Sequence, residues 1–286
     1  MRLPHEYMNC VAYLYPEESA AELGDSAGAA TAFWVSHELS DEISPGKGRV
    51  ATFLVTNRHV IDGGVSTLRY ARNDGNVSIR IIDTNEWIFH QSDDVDLAIW
   101  EAPADLDAKH FPINFNMMVK PKDVSALDVR LGDDVFMIGR HLGYDGKLSN
   151  TPTTRFGHLV QFPLDKILDE RGRSHEAFLI QIPSLPGFSG SPVFLGQDQI
   201  QINAENHAVV LGQQPRRIRL LGVNLGHLPH RVPTVRADNL EENAYLNALV
   251  SSGINVVVPA WDLAQMILQH LIGKIIAEAQ PEIRGI

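Results

Sequence analysis

Short hydrophobic runs, separated by turn-forming residues, dominate this sequence. The runs are apolar throughout or alternate between apolar and polar positions, which is typical of β-strands buried on one or both faces. Gly, Pro, Asn and Asp separate them, as in the Asp-Gly-Gly of residues 62–64. The pattern predicts strands at residues 10–15, 31–36, 50–56, 65–71, 77–82 and 97–101, and again at 134–139, 154–162, 177–182, 192–195, 218–224 and 254–258.

The predicted strands fall into two groups joined by a longer connection. Residues 102–128 contain three prolines and no clear period, so we expect them to run across the surface between the groups. Two groups of about six strands predict an all-β protein built from two six-stranded antiparallel β-barrels. The expected divisions are an N-terminal barrel at residues 1–115, an inter-barrel linker at 116–130, a C-terminal barrel at 131–258, and a helix with a tail at 259–286.

Two segments depart from the strand pattern. From Leu263 to Ile275 an apolar residue recurs at every fourth position, which predicts a C-terminal α-helix with one apolar side. Residues 226–253 lie between two predicted strands and are too long for a hairpin turn. Because helix-forming residues are concentrated at 239–250, we expect a partly helical insertion that shapes or covers a cleft at one mouth of the second barrel.

Composition narrows the function classes. The net charge of -11 at pH 7 argues against nucleic acid as a partner, because phosphates would repel the surface. No apolar run approaches the roughly 20 residues that cross a bilayer, and the first residues lack the pattern of a secretory signal. We therefore expect neither a membrane span nor secretion. The single cysteine, Cys10, excludes an intramolecular disulfide and indicates a reducing, cytoplasmic compartment, with its thiol buried in an apolar run.

Three segments carry residues suited to nucleophilic catalysis. His59 follows an apolar strand, Asp96 precedes another, and Ser189 lies in the Gly-Phe-Ser-Gly-Ser-Pro of residues 187–192. A serine hydroxyl needs a neighbouring base, an imidazole with a pKa of about 6.5 can serve as one, and a carboxylate on the second ring nitrogen fixes the tautomer. Gly187 lets its own N–H and that of Ser189 converge on one point, where an oxyanion can be held.

The three segments, in the order His, Asp, Ser, resemble the trypsin/chymotrypsin superfamily, and especially its bacterial trypsin-like members akin to the HtrA proteases. Residues 56–59 match the motif T-x-x-H, residues 96–99 match D-L-A-[LIV], and residues 187–192 match G-x-S-G-[GS]-P. The resemblance spans residues 10–262. It implies a chymotrypsin-like double barrel.

The resemblance also implies an activity and residue roles. It makes the His, Asp and Ser named above the triad of a serine endopeptidase, which cuts protein or peptide substrates through an acyl-enzyme without a cofactor. It places Pro183 at the floor of the pocket for the residue before the cut, so we expect a small or apolar residue there. The strand that pairs with substrate is matched by Gly222, Val223 and Asn224.

One departure from the resemblance concerns regulation. Phe188 stands where digestive members of the superfamily carry an Asp that captures a freed N-terminus, so activation of that zymogen type is not expected. A peptidase without such a switch needs another restraint. We expect either the segment at residues 226–253 or a regulatory partner protein to gate the cleft.

Other functions remain open at this point. A catalytically silent protein could keep the fold for binding or scaffolding, and an esterase or acyl-transfer enzyme could use the same triad. An α/β-hydrolase is disfavoured because Ser191 replaces the second Gly of G-x-S-x-G and the order of Ser, Asp and His is reversed. His227 and His230 have the spacing of metal ligands, but no further ligand motif accompanies them, so we predict no metal site.

Overall fold

The computed structural model of the chain is mostly β-structure. It describes residues 3–24, 28–39, 50–126, 129–141, 146, 149–168, 174–183, 186–197, 200–203, 208–211, 217–235 and 245–279. The first group of strands is β1 (Val11–Tyr15), β2 (Ala30–Glu38), β3 (Val50–Thr56), β4 (Thr67–Ala71), β5 (Val77–Ile81), β6 (Ile88–Phe89), β7 (Ala98–Glu101) and β8 (Ile113–Asn114). The second group is β9 (Asp134–Gly139), β10 (Thr153–Gln161), β11 (Lys166–Leu168), β12 (Ser174–Glu176), β13 (Phe178–Gln181), β14 (Pro192–Gln197), β15 (Ile200–Asn203), β16 (Ala208–Leu211), β17 (Arg217–Val235) and β18 (Tyr245–Pro259). The described α-helices are α1 (Glu18–Leu23), α2 (Arg58–Asp62), α3 (Pro121–Ser125) and α4 (Ala260–Ala279), and none of these helices is both long enough and apolar enough to span a membrane.

The first group forms an eight-stranded sheet that contains the six predicted strands and two more. Its hydrogen-bonded order is β5-β4-β1-β2-β3-β7-β6, and β8 pairs in parallel with β2. The added strands, β6 and β8, are each two residues long. Strands of that length are too short to produce a period in the sequence.

The second group closes into a six-stranded barrel in the order β10-β13-β18-β17-β14-β9. Two separate two-stranded sheets, β11 with β12 and β15 with β16, accompany it. The predicted fold class, an all-β protein of the double-barrel type with a C-terminal helix, is confirmed. The strand bounds agree most closely at β3 and β9, whose residues match the predicted ranges and are mostly buried.

Alternation along β2 and β3 divides the core into two parts. On one face, Phe33, Val35 and Phe53 belong to a hydrophobic cluster shared with the second barrel. The barrel contributes Phe136 and Phe194, whose rings stack at a centroid distance of 4.9 Å. Because this cluster draws on both halves of the molecule, burial of apolar surface there holds the halves together. The intervening residues on the other face belong to a separate cluster within the first sheet, among them Ala32, Trp34 and Leu54.

The C-terminal helix α4 contacts both halves. Leu263 and Leu271 are buried, as the four-residue period predicts, and they belong to the cluster shared by the halves. Seven and eleven residues after Leu263, His270 Nε2 and Lys274 Nζ each lie 2.8 Å from the carboxylate of Glu101, at the end of β7. The helix therefore ties the first sheet to the second barrel through both apolar and charged contacts.

The described residues of the predicted insertion at 226–253 are strand and not helix. β17 extends to Val235, β18 begins at Tyr245, and the two strands stay paired as far as these two residues. Residues 236–244 lie outside the described part of the chain. The described residues of the segment thus form a pair of strands that continues two barrel strands, called the hairpin below. Residues 245–250 favour helix locally, but pairing with β17 overrides that preference.

Cys10 is fully buried, as predicted, and belongs to the cluster shared by the two halves. Burial raises the pKa of its thiol above the ordinary range of cysteine. The thiol therefore stays protonated and packs as a small apolar group.

Asp262, in the first turn of α4, should make stability depend on pH. Burial and the negative charge of Glu176 raise the pKa of Asp262 from 3.8 to about 6. The folded state therefore binds this proton more tightly than the unfolded state, and its stabilising effect is lost as pH rises from about 4 to about 6. We expect Asp262→Asn to raise the free energy of unfolding by about 1–2 kcal/mol at pH 7.5, less than the full shift because the side chain is partly exposed.

Urea unfolding of the wild type and of Asp262→Asn at pH 7.5 and pH 4 measures this difference. Most of the gain should be lost at pH 4, where Asp262 is protonated in the folded state and about half protonated in the unfolded state. A variant that is less stable than the wild type at pH 7.5 would contradict the expected sign.

Candidate active site

His59 and Asp96 come together because the strands beside them are antiparallel neighbours. β3 ends at Thr56, which pairs with Ala98 at the start of β7. His59 follows β3 in the short helix α2, and Asp96 precedes β7. Both side chains therefore lie at the same end of this strand pair.

The Asp96 carboxylate holds His59 at two points. Its Oδ1 accepts the main-chain N–H of His59 at 2.8 Å, and its Oδ2 lies 2.5 Å from His59 Nδ1. Asp96 is fully buried, and Asn57 Nδ2 donates to its main-chain carbonyl at 3.0 Å. A buried carboxylate requires hydrogen-bond partners, which the main-chain N–H and the ring of His59 provide here. Since Nδ1 faces the carboxylate, Nε2 of His59 faces away from it, and the side chain keeps 15% of its surface exposed.

Ser189 lies in a turn whose glycines cannot be replaced without strain. Gly187 and Gly190 have φ angles of +99° and +80°, which L side chains rarely adopt. A Cβ on Gly190 would lie 2.2 Å from the carbonyl oxygen of Thr31 and 2.3 Å from Thr56 Oγ1. The turn therefore packs directly on the start of β2 and on the end of β3 that leads to the histidine.

Hydrogen bonds from both halves of the molecule hold this turn. The Thr31 N–H donates to the Ser189 carbonyl at 3.0 Å. From the second barrel, Asn224 Nδ2 donates to the Phe188 carbonyl at 2.8 Å, and the Asn224 carbonyl accepts the N–H of Gly190 at 3.0 Å. The position of Ser189 is thus set by hydrogen bonds from both halves of the molecule.

Two N–H groups of the turn are available to a ligand. Within the described residues, neither Gly187 nor Ser189 donates a main-chain hydrogen bond, and such a pair of donors suits an oxyanion. In the part of the chain that the structure describes, the ring of His59 is hydrogen-bonded to Asp96 and not to the hydroxyl of Ser189. Catalytic hydrogen bonds are often long or poorly aligned before substrate binds.

Gly222, Val223 and Asn224 lie inside the barrel wall, which corrects their expected role in pairing with substrate. On one side they bond to β14 and the residue before it, and on the other side they pair with β18. Both main-chain edges are occupied, so no substrate strand can pair at these residues. Among the described strands, β17 has no partner on its β14 side from Leu225 onward, and the open edge begins there.

The remaining predicted positions lie outside this turn. Pro183 is exposed and follows β13, next to Ile182, whose N–H donates to the Gly253 carbonyl at 3.0 Å. Its role at a pocket floor stays a prediction. His227 is exposed, and the side chain of His230 lies outside the described part. The described residues include no group of three or more His, Cys, Asp or Glu side chains that could hold a metal ion.

Sequence reasoning missed two buried residues behind the turn, Thr31 and Arg140. The Arg140 N–H donates to Thr31 Oγ1 at 2.9 Å, and the Arg140 guanidinium lies 5.4 Å from the ring centre of Tyr15. A Cβ on Gly187 would lie 3.3 Å from Arg140 Nη1, so Arg140 is directly behind the turn. The one signal in the sequence is a polar Thr between two alanines in a strand predicted to be buried.

Comparisons with known proteins identify one family. A family model described as a trypsin-like peptidase domain matches residues 30–200, more than half of the chain. No curated protein matches the sequence.

Solved structures with similar coordinates include Deg5, at 16% identity and a TM-score of 0.47, with 91% of this chain and 88% of that chain covered. The Rv3671c protein of M. tuberculosis H37Rv, in an inactive form, has 16% identity and a TM-score of 0.44 over 96% and 89%. The HtrA-type protease AlgW with a decapeptide has 18% identity and a TM-score of 0.42 over 93% and 65%.

The close approach at Gly190 predicts a stability difference between two glycine substitutions. Gly190 and Gly64 have nearly equal φ angles, +80° and +78°, but nothing lies within 4 Å of a Cβ on Gly64. We expect Gly64→Ala to lose about 1 kcal/mol of unfolding free energy from backbone strain alone. Gly190→Ala should lose about 3 kcal/mol, because its Cβ must also displace the Thr31 carbonyl.

Urea unfolding of the two variants separates strain from contact, since the φ angles are matched. Equal losses in both variants would contradict the packing of the turn against β2.

Proposed function

The chain belongs to the trypsin-like peptidase domain family, and we propose that it is a serine endopeptidase that hydrolyses peptide bonds through an acyl-enzyme. The observation that supports the proposal most is the buried carboxylate of Asp96, which bonds to both the main-chain N–H and the Nδ1 of His59. Packing of the Ser189 turn on the strand ends beside this pair supports it further.

In the proposed mechanism, Ser189 Oγ forms a bond to the scissile carbonyl carbon while its proton passes to His59 Nε2. The Asp96 carboxylate stabilises the imidazolium, and the N–H groups of Gly187 and Ser189 hold the oxyanion. His59 then gives the proton to the leaving amine as the C–N bond breaks. Water, deprotonated by the same imidazole, releases the acyl group and restores the hydroxyl.

We propose that an extended substrate pairs with the open edge of β17 that begins at Leu225. Added strands bind through main-chain hydrogen bonds, which tolerate many side chains, so the edge suits a protein or peptide substrate. A small or apolar residue before the cut, next to Pro183, remains part of the proposal. The hairpin that continues β17 and β18 starts from this edge, and we propose that it or a partner protein restrains access.

The proposed location is the cytoplasm. Its support is chemical: the sequence has one cysteine, and Cys10 is fully buried, so the fold uses no intramolecular disulfide. Such a fold is suited to a reducing compartment.

A silent binding protein of the same fold is the second candidate. It is favoured by one observation, namely that the ring of His59 is not hydrogen-bonded to the hydroxyl of Ser189 among the described residues. Covalent labelling separates the two functions, because only an activated serine displaces fluoride from a fluorophosphonate.

We expect the wild type to be labelled by a fluorophosphonate probe and Ser189→Ala not to be labelled. Ser191→Ala is the matched control, because Ser191 lies in the same turn but is fully buried, and it should label like the wild type.

Asp96→Asn should lower kcat on peptide substrates by about 10⁴-fold by favouring the wrong tautomer of His59.

Gel fluorescence measures the labelling, and a peptide library read by mass spectrometry measures the cleavage. An unlabelled wild type with no cleavage would favour the silent binding protein. Labelling together with turnover of esters but not of peptides would favour an esterase.

A further inference from the structure

Thr31 connects the two halves of the molecule at the candidate active site. It is the second residue of β2 and is fully buried. Its N–H donates to the Ser189 carbonyl at 3.0 Å, and its carbonyl accepts Thr56 Oγ1–H at 2.9 Å. Its hydroxyl donates to the Gly187 carbonyl at 2.7 Å and accepts the Arg140 N–H at 2.9 Å. One side chain and its main chain therefore bond to the nucleophile turn, to β3 and to the residue after β9.

The direction of the Thr31 hydroxyl is fixed by its two partners. A hydroxyl has one hydrogen to donate and lone pairs to accept with. Because the N–H of Arg140 can only donate, it occupies a lone pair of Oγ1, and the hydroxyl hydrogen is directed to the carbonyl of Gly187. This bond fixes the carbonyl of Gly187, in the peptide plane that follows the residue. The N–H of Gly187 lies in the preceding plane, and the φ of +99° and the ψ of Gly187 relate the two.

The two N–H groups of the proposed oxyanion site are held by different means. The peptide before Ser189 is fixed by the second barrel, because the Phe188 carbonyl accepts Asn224 Nδ2 at 2.8 Å and the Ser191 N–H at 3.1 Å. Gly187 is instead held through its carbonyl, which accepts the hydroxyl of Thr31 in the first sheet. Contacts from both halves thus hold the two residues whose N–H groups form the proposed site.

We infer that Thr31 is a positioning residue, whose hydroxyl holds the Gly187 carbonyl and thereby the Cα from which the Gly187 N–H is directed, so that this N–H and that of Ser189 can both bind the oxyanion. It touches neither substrate nor the reacting atoms. Because this role rests on the proposed peptidase function, its effect should appear in the step that develops negative charge and not in substrate binding.

Thr31→Val tests the role of the hydroxyl, since it keeps the branched shape and removes only the donor and acceptor. We expect kcat, measured per active site titrated with a fluorophosphonate, to fall by about 10–10²-fold, the range expected when an oxyanion donor is misplaced. KM should change by less than about 2-fold. The affinity for a peptidyl boronic acid, which places an oxygen at the oxyanion site, should fall in parallel with kcat.

Two further variants separate positioning from general destabilisation. Thr31→Ser keeps the hydroxyl and should restore kcat to within about 3-fold of the wild type. Thr67→Val removes a hydroxyl from another buried threonine of the same sheet, in β4, and should leave kcat per titrated site unchanged. If Thr31 had a purely structural role, Thr31→Val would lower the number of active sites titrated by the fluorophosphonate, or the melting temperature. It would not lower kcat per titrated site.

An active wild type in which Thr31→Val keeps its kcat per site, or in which Thr31→Ser fails as badly as Thr31→Val, overturns the inference and leaves the proposed function intact. A wild type that neither labels nor cleaves overturns the proposed function, and the catalytic role of Thr31 falls with it.

Discussion

The hydrogen bond from the Thr31 N–H to the Ser189 carbonyl lies where the two halves of the molecule meet, and the geometry of the site depends on it. The bond can form only because Gly190 has no Cβ, which would lie 2.2 Å from the Thr31 carbonyl oxygen. Close approach of two backbones at one residue thus brings a turn of the second barrel to the strand ends that carry His59 and Asp96. The absence of a side chain at Gly190 is therefore a condition for the contact between the turn and the first sheet.

The two halves of the molecule contribute different groups to the candidate active site. The first sheet buries Asp96 and places His59 on it, since β3 and β7 are antiparallel neighbours. The second barrel contributes the turn that carries the N–H groups of Gly187 and Ser189. Asn224 holds part of this turn. The hydrophobic cluster shared by the halves fixes their relative position. Core packing, and not a flexible hinge, therefore determines how the Ser189 turn faces His59 and Asp96. In the proposed reaction, a site fixed in this way would need little reorganisation.

Much of this arrangement could be predicted from the sequence, because period and motif are local signals. Strands such as β3 and β9 are short apolar runs, and the segments around the three proposed catalytic residues are short and self-contained. Long-range pairing could not be read in this way. The hairpin of β17 and β18 overrides local helix preference, and the occupied edges of residues 222–224 follow from their neighbours in the barrel. Thr31 is ordinary in its local sequence because its hydroxyl partners lie 156 and 109 positions away.

The convergence of these groups is tested most directly by a crystal structure of the protein after reaction with a peptidyl phosphonate. The account predicts a bond from phosphorus to Ser189 Oγ, with a phosphonyl oxygen about 2.7–3.1 Å from both the Gly187 and the Ser189 nitrogen atoms. His59 Nε2 should face the same oxygen of the serine. An unmodified Ser189, or an adduct whose phosphonyl oxygen lies away from these two N–H groups, would contradict it.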